Sequence, residues 1–219
     1  MYSILGSIVS RRSDKLSSKN KTPVILGNDV GKFLAKVAAA PLPVERGKKG
    51  RLVFAMDATA SREATWDHAC QLQGEMFNAT TQLGGLSVQL CYYRGFNEFH
   101  VRPWCDHASQ LLLEMGSTRC LGGHTQIGRV LSHLVKENSQ QKIQAAVFVG
   151  DAMEESADAL CQQAGKLGVL GIPLFIFQEG RNSRVASIFK QLANLTGGAY
   201  APFDLGSASQ LKDLLSAVA

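Results

Sequence analysis

The chain has 219 residues, of which 45% are hydrophobic and 19% are charged, and its formal net charge is +5. This length suits one α/β domain with a tail and is short for two domains, and the composition excludes wholesale disorder. Residues 1–50 hold ten Lys and Arg against three Asp and Glu, whereas residues 51–219 hold thirteen against fifteen. The basic character therefore belongs to the N-terminal segment, and the rest of the chain is mildly acidic.

Residues 1–50 are predicted to lie outside the main domain. Residues 1–28 have the composition of a flexible basic tail, and residues 29–50 are predicted to form a short amphipathic helix followed by a linker. The tail is a weak signal for nucleic acid. We favour a solvated tail, because it has few aromatic residues to stack on bases and no nucleic-acid-binding motif.

From residue 51 onwards, buried-strand patterns alternate with helical patterns up to residue 219. The predicted strands are 51–57, 86–93, 97–104, 145–151, 172–177 and 199–203. The predicted helices are 61–83, 107–115, 125–137, 154–167, 184–195 and 208–218. A short RGF turn joins the second and third strands and predicts a hairpin. The whole predicts an α/β fold with a doubly wound, mostly parallel central sheet, one antiparallel edge strand and helices on both faces.

The compartment is predicted from the cysteines and from the hydropathy of the chain. Five cysteines are scattered without a CxxC spacing, which is typical of reduced thiols in the cytosol. No apolar run reaches the ~18 residues needed to cross a bilayer, and the N-terminal segment does not have the charge order of a signal peptide. We therefore expect a cytoplasmic protein with no membrane association.

Oxygen-bearing side chains cluster where the predicted strands end. Asp57, Thr59 and Ser61 alternate in the segment DATAS after the first strand, Thr125 begins a helix, and Asp151 follows the strand 145–151. Ligands of doubly wound sheets bind at the carboxyl ends of the strands. Two carboxylates and three hydroxyls suit a hard cation such as Mg²⁺. The sequence therefore predicts a site for one divalent metal ion.

This arrangement resembles the metal-ion-dependent adhesion site of von Willebrand factor A domains, which has DxSxS after the first strand, then a Thr and an Asp. Residues 189–204 also look like the stretch that precedes the last strand in that family, so the resemblance covers roughly residues 51–218. It implies a Rossmann-like fold and one Mg²⁺, Mn²⁺ or Ca²⁺ held directly or through water. It also implies a protein partner that supplies an acidic side chain to the metal. DATASREATWD, YYRGFNE and VGDAMEE look closest to bacterial cytoplasmic members.

The chain departs from the pattern of that family at several positions. Thr59 stands where the family usually has Ser, and His124 stands where a Gly commonly precedes the Thr. His124 is interpreted as a loop residue or as a residue that supports the ligands from behind, and not as a ligand. Asp151 lies in GDA instead of TDG and is followed by Glu154 and Glu155. These acids make the predicted metal surface more negative, and they are interpreted either as favourable first-turn helix charges or as functional groups.

Two further side chains beside the predicted site have two interpretations. Arg62 and Trp66 are one helical turn apart, so they form either a patch that faces a partner or part of the core. Asp57 is expected to lie at a strand end and not inside the core. On that basis Asp57→Ala is expected to abolish metal binding and to leave the fold largely intact.

The leading functional hypothesis is a non-enzymatic binding module that recognises a protein through its metal. The alternative is a Mg-dependent phosphatase or phosphotransferase resembling the haloacid dehalogenase group, with Asp57 as the nucleophile. The usual phosphatase of that group has a general-acid Asp two residues later, where this chain has Thr59. The first strand is followed by no GxGxxG or GxxxxGK[ST] motif, and no GxSxG motif is present, which argues against nucleotide-binding enzymes and serine hydrolases. A purely structural domain with an empty site is a further alternative.

Overall fold

A computed structural model describes residues 49–64, 66–67, 70–71, 74 and 86–203, together with positions 35–36, 210 and 213. The predicted basic tail, nearly all of the helix and linker 29–50, and most of the predicted helices 61–83 and 208–218 lie outside the described residues. Within the described part of the chain, no helix is long and apolar enough to span a membrane.

Six strands form one sheet in the order β3-β2-β1-β4-β5-β6. The strands are β1 (Gly50–Asp57), β2 (Leu86–Arg94), β3 (Glu98–Cys105), β4 (Ala145–Gly150), β5 (Leu174–Gln178) and β6 (Tyr200–Pro202). All neighbours are parallel except β2 and β3, which form the antiparallel hairpin at one edge. The predicted sheet is confirmed. The strand order reverses between β1 and β4, where doubly wound sheets bind their ligands.

Among the residues that the structure describes, four α-helices have complete bounds and pack against this sheet: α1 (Ala108–Ser117), α2 (Ile127–Gln140), α3 (Ala157–Val169) and α4 (Ser183–Leu195). One core cluster contains Leu111 of α1 and Trp66, and the other contains residues of α2, α3 and α4. Alternate residues of β1 enter opposite clusters, and all eight residues of this strand are buried. A central parallel strand covered on both faces therefore explains the unbroken apolar run in the sequence, and the helices lie on both faces as predicted.

Two helices begin two or more residues later than the sequence predicts. α2 begins at Ile127, two residues after the predicted start at Thr125. α3 begins at Ala157 because Ser156 is its N-cap and accepts a hydrogen bond from the amide of Ala159 at 3.4 Å. Glu154 and Glu155 therefore precede α3, and their interpretation as first-turn helix charges is wrong.

The β2–β3 hairpin is held against the loop that precedes α2. Gly95 in the turn has a φ of +58°, and its amide donates to the carbonyl of Leu121 at 3.3 Å. The amide of His124 donates in return to the carbonyl of Gly95 at 3.2 Å. A Cβ atom at Gly123 would lie 1.9 Å from the Gly95 oxygen. This approach of two backbones is possible only because residue 123 has no side chain.

We expect Gly123→Ala to lower the free energy of unfolding by about 1–3 kcal/mol, because the added methyl group forces the hairpin and the loop apart. The matched control is Gly122→Ala, whose Cβ would meet no atom within 4 Å. Urea unfolding of both variants measures the difference. Equal losses in the two variants would show that the close approach has no energetic role.

Candidate functional site

Asp57 ends β1 at the centre of the sheet, and its side chain is fully buried. Its Oδ1 accepts a hydrogen bond from the Thr59 amide at 2.8 Å, and its Oδ2 accepts one from the Tyr93 hydroxyl at 2.9 Å. Tyr93 lies on β2 directly beside Asp57 in the parallel register. Burial raises the pKa of Asp57, and the hydrogen bonds from Thr59 and Tyr93 oppose this rise in part.

The burial of Asp57 corrects the expectation that this residue lies outside the core. Asp57→Ala would leave the Tyr93 hydroxyl and the Thr59 amide without their acceptor, and such a loss typically costs about 1–3 kcal/mol. Tyr93 was missed because no motif marks it as a partner of Asp57. Its position at the end of the strand predicted to neighbour that of Asp57 is the one signal in the sequence that could have found it.

The two hydroxyls of DATAS come together after β1. Thr59 Oγ1 and Ser61 Oγ are 3.0 Å apart, in the turn of 3-10 helix Ala60–Arg62 that follows the strand. The side chain of Thr59 is buried, whereas Ser61 is exposed. The loop that precedes α2 also contacts this turn, since the amide of Leu121 donates a hydrogen bond to the carbonyl of Ala58 at 3.1 Å. The alternating pattern therefore does direct Asp57, Thr59 and Ser61 to one place.

Arg62 lies beneath this turn and is fully buried. Its Nε and Nη2 donate to the two carboxylate oxygens of Glu179, at 3.0 and 2.8 Å, and its Nη1 donates to the Asp57 carbonyl. The guanidinium also lies 5.3 Å from the ring centroid of Trp66, which is only 6% exposed. The interpretation of Arg62 and Trp66 as a partner-facing patch is therefore wrong. The pair with Glu179, next to the end of β5, anchors the DATAS turn from below.

Thr125 is clasped by the two glutamates that precede α3. Its hydroxyl donates to Glu155 Oε2 at 2.5 Å and accepts from the Glu154 amide at 2.9 Å. The Thr125 amide donates to Glu154 Oε2 at 3.0 Å. Glu155 Oε1 accepts a hydrogen bond from the amide of Gly128 at 3.0 Å. The N-cap residue of α2, Gln126, makes no capping bond with its side chain, so Glu155 takes over this role. We refer to these contacts among Thr125, Gly128, Glu154 and Glu155 as the glutamate clasp.

Asp151 follows β4 on the same loop as the two glutamates. Its Oδ1 is buried and makes no hydrogen bond. The preceding residue, Gly150, lies beside the end of β1, since a Cβ atom there would be 3.4 Å from the Cβ of Asp57. Buried carboxylate oxygens in proteins are nearly always hydrogen-bonded or bound to water or an ion. An acceptor without a hydrogen bond at the strand switch point therefore fits a site that takes a cation.

The predicted ligands thus reach one edge of the sheet in two groups. Asp57, Thr59 and Ser61 form one. Thr125 belongs to the other, since it is bonded to Glu154 and Glu155, which lie on the loop that begins with Asp151. All are oxygen donors, which suits a hard ion. In the part of the chain that the structure describes, no three His, Cys, Asp or Glu side chains form a group able to hold a metal. The predicted donor set instead has two carboxylates, of Asp57 and Asp151, and three hydroxyls.

The chain is a doubly wound α/β protein, as its strand order and its antiparallel edge hairpin show. Polar strand ends at the switch point form a candidate ligand site at the carboxyl edge of the sheet. The particular fold is that of von Willebrand factor A domains, which the solved structures show. No protein-family model and no curated protein sequence matches the chain.

Three solved structures illustrate the likeness in fold. The von Willebrand factor type A protein from Catenulispora acidiphila is 13% identical, with a TM-score of 0.63 over 77% of this chain and 42% of that one. The pilus adhesin SpaC from Lactobacillus rhamnosus GG is 14% identical, with a TM-score of 0.61 over 78% of this chain and 30% of that one. The VWA domain of SpRpn10 is 12% identical, with a TM-score of 0.58 over 74% of this chain and 93% of that one.

Proposed function

We propose that this chain is a non-enzymatic binding module that holds one divalent metal ion between the ends of β1 and β4 and contacts a protein partner there. The observation that carries the proposal is the buried Asp151 Oδ1, which makes no hydrogen bond and lies in the loop beside the end of β1. Since Asp57 occupies that strand end, a cation between the two carboxylates would satisfy the buried acceptor and offset two negative charges.

The proposed ligands are Asp57, Thr59, Ser61, Thr125 and Asp151. Thr125 Oγ1 donates one hydrogen bond and accepts one, so a hydroxyl lone pair is left for an ion. When bound, the ion supplies a positive charge that an acidic side chain of a partner can approach. Mg²⁺ is favoured over Mn²⁺ and Ca²⁺ by its supply in the cytosol. All five cysteines are free thiols, which supports a cytosolic location.

The geometry of Asp57 argues against the phosphatase alternative. A nucleophilic carboxylate must attack its substrate directly, but the Asp57 side chain is fully buried and both of its oxygens accept hydrogen bonds. A carboxylate in that position can still hold Mg²⁺ through a bound water. A phosphate ester incubated with the protein and Mg²⁺ is therefore expected to show no turnover. Turnover that Asp57→Asn abolishes would overturn the proposed function.

Asp151→Ala is expected to reduce the affinity for Mg²⁺ at least tenfold, because one of two charged ligands is removed. Titration calorimetry with MgCl₂, and then with MnCl₂ and CaCl₂, measures the change. The matched control is Asp158→Ala, since Asp158 is an exposed carboxylate in the first turn of α3. Undiminished affinity in Asp151→Ala would refute the metal site.

A further inference from the structure

A groove with a cavity volume of about 550 Å³ opens beside Thr125 at the same edge of the sheet. It runs between the β2–β3 hairpin and the start of α2, and we call it the hairpin groove. Its lining includes Phe96, Phe99, Thr125, Arg129, Glu155 and Gln163. The groove therefore shares Thr125 and Glu155 with the glutamate clasp and adjoins the proposed metal site.

Phe96 is an exposed aromatic side chain on a fixed support. It lies in the turn of the hairpin and is 74% exposed. The neighbouring Gly95 is bonded to the loop of Gly123, as described above, and the Phe96 ring packs edge-on against His124 with centroids 5.1 Å apart. An aromatic residue whose backbone is already ordered loses little entropy on binding, which is a property of interface anchors.

Carboxylate and amide acceptors lie on the Thr125 side of the hairpin groove. Glu155 lines it, and Glu154 lies next to it with 53% of its side chain exposed. The contacts of the Glu154 carboxylate with the Thr125 amide and with His124 both run through Oε2. Gln163 Oε1 is a buried acceptor without a hydrogen bond. A ligand that brings hydrogen-bond donors and positive charge would complement these groups.

The cation that lines the hairpin groove is already engaged. Nη1 of Arg129 donates to the Asn97 carbonyl and side chain at 3.0 and 2.9 Å, and to Gln126 Oε1 at 2.7 Å. Its guanidinium also lies over the Phe99 ring, 5.4 Å from the centroid. Arg129 thus holds the wall of the groove in place through its bonds to Asn97 and Gln126.

We propose that the hairpin groove binds an arginine side chain of a protein partner, with the guanidinium over Phe96 and paired with Glu154. A guanidinium is planar and carries five donors, so it can stack on a ring and bond to acceptors at the same time, which a lysine ammonium does less well. The inference rests on the proposed function in that the partner is a protein. It adds a basic residue beside the acidic one expected at the metal.

The test uses an array of dodecapeptides of defined sequence, probed with the full chain in Mg²⁺ and followed by fluorescence polarisation of the best binders. Peptides that contain arginine are expected to bind best. Replacement of that arginine by glutamine is expected to weaken binding more than replacement by lysine. Phe96→Ala and Glu154→Gln in the protein are each expected to weaken binding roughly 3-fold to 30-fold.

The control variant is Leu113→Ala, because Leu113 is similarly exposed, at 75%, but lies on α1. It is expected to leave peptide binding unchanged, and melting temperatures confirm that all variants fold. The inference is overturned if no peptide binds, if the best peptides lack arginine, or if Phe96→Ala binds as the wild type does.

Failure of the inference and failure of the proposed function are distinguishable. If the best peptides lack arginine while Asp151→Ala still weakens Mg²⁺ binding, the arginine site is overturned and the metal site stands. If arginine peptides bind equally well in EDTA and to Asp151→Ala, the arginine site is supported. If the wild type in addition binds no Mg²⁺, only the metal site is overturned.

Discussion

Arg62→Met is expected to lower the free energy of unfolding by about 3–5 kcal/mol, because it leaves the buried carboxylate of Glu179 without its bidentate cation. The Glu179 side chain is only 8% exposed and the Arg62 side chain is completely buried. The variant also removes the donor to the Asp57 carbonyl, which loosens the DATAS turn. Urea unfolding at constant pH measures the loss.

Two further variants test this explanation. Arg62→Met combined with Glu179→Gln is expected to be more stable than Arg62→Met alone, since the uncompensated charge is gone. The matched control is Lys49→Met, which removes an exposed ion pair with Asp106 whose side chains are 52% and 42% exposed. Such surface pairs contribute about 0–1 kcal/mol. A loss in Arg62→Met as small as that in Lys49→Met would contradict the anchoring role.

Mg²⁺ is expected to stabilise the wild-type protein by about 2.7 kcal/mol at a concentration one hundred times its Kd, because only the folded state has the site. Asp57→Asn is expected to abolish this gain. The Asn side chain keeps the acceptor for the Thr59 amide, and its amide nitrogen can donate to the Tyr93 oxygen, so the variant still folds. Thermal unfolding with increasing MgCl₂ measures the response.

The same variant is not expected to lose stability when the metal is absent. Burial raises the pKa of Asp57 above its usual 3.8. As the pH rises, the Asp57 carboxyl therefore loses its proton at a lower pH in the unfolded chain than in the folded protein. The stability contributed by this group is therefore present at low pH and falls as pH rises from about 3.8 through the raised folded pKa. At pH 7 in EDTA, Asp57→Asn is expected to melt no lower than the wild type.

The Mg²⁺ titration decides the role of Asp57. A Mg²⁺ response in Asp57→Asn equal to that of the wild type would contradict Asp57 as a ligand.

The fold was predictable because its main signals are local. The apolar run of β1 ending in Asp57 indicates a strand buried on both faces, and the RGF turn indicates the hairpin that forms the antiparallel edge. The alternation of strands and helices then fixes the class of the sheet. These features depend on residues close in sequence, and the structure confirms each of them.

The supporting contacts of the candidate site were not predictable, because they join distant residues. Arg62 and Glu179 are 117 positions apart, and a charged residue just after a strand gives no indication that it is completely buried. A helix predicted from Glu154 places both glutamates in its first turn, whereas the structure has Ser156 as the N-cap of α3. The metal itself stays a prediction.

The glutamate clasp has a consequence for the local opening of the protein. The amides of Thr125 and Gly128 lie at and just before the start of α2, where backbone groups of an isolated helix would exchange with solvent. Here the carboxylates of Glu154 and Glu155 accept from both, so the loop before α2 cannot open without breaking its bonds to the loop before α3. A partner that draws Glu155 away would therefore also remove the acceptor of the Gly128 amide in the first turn of α2.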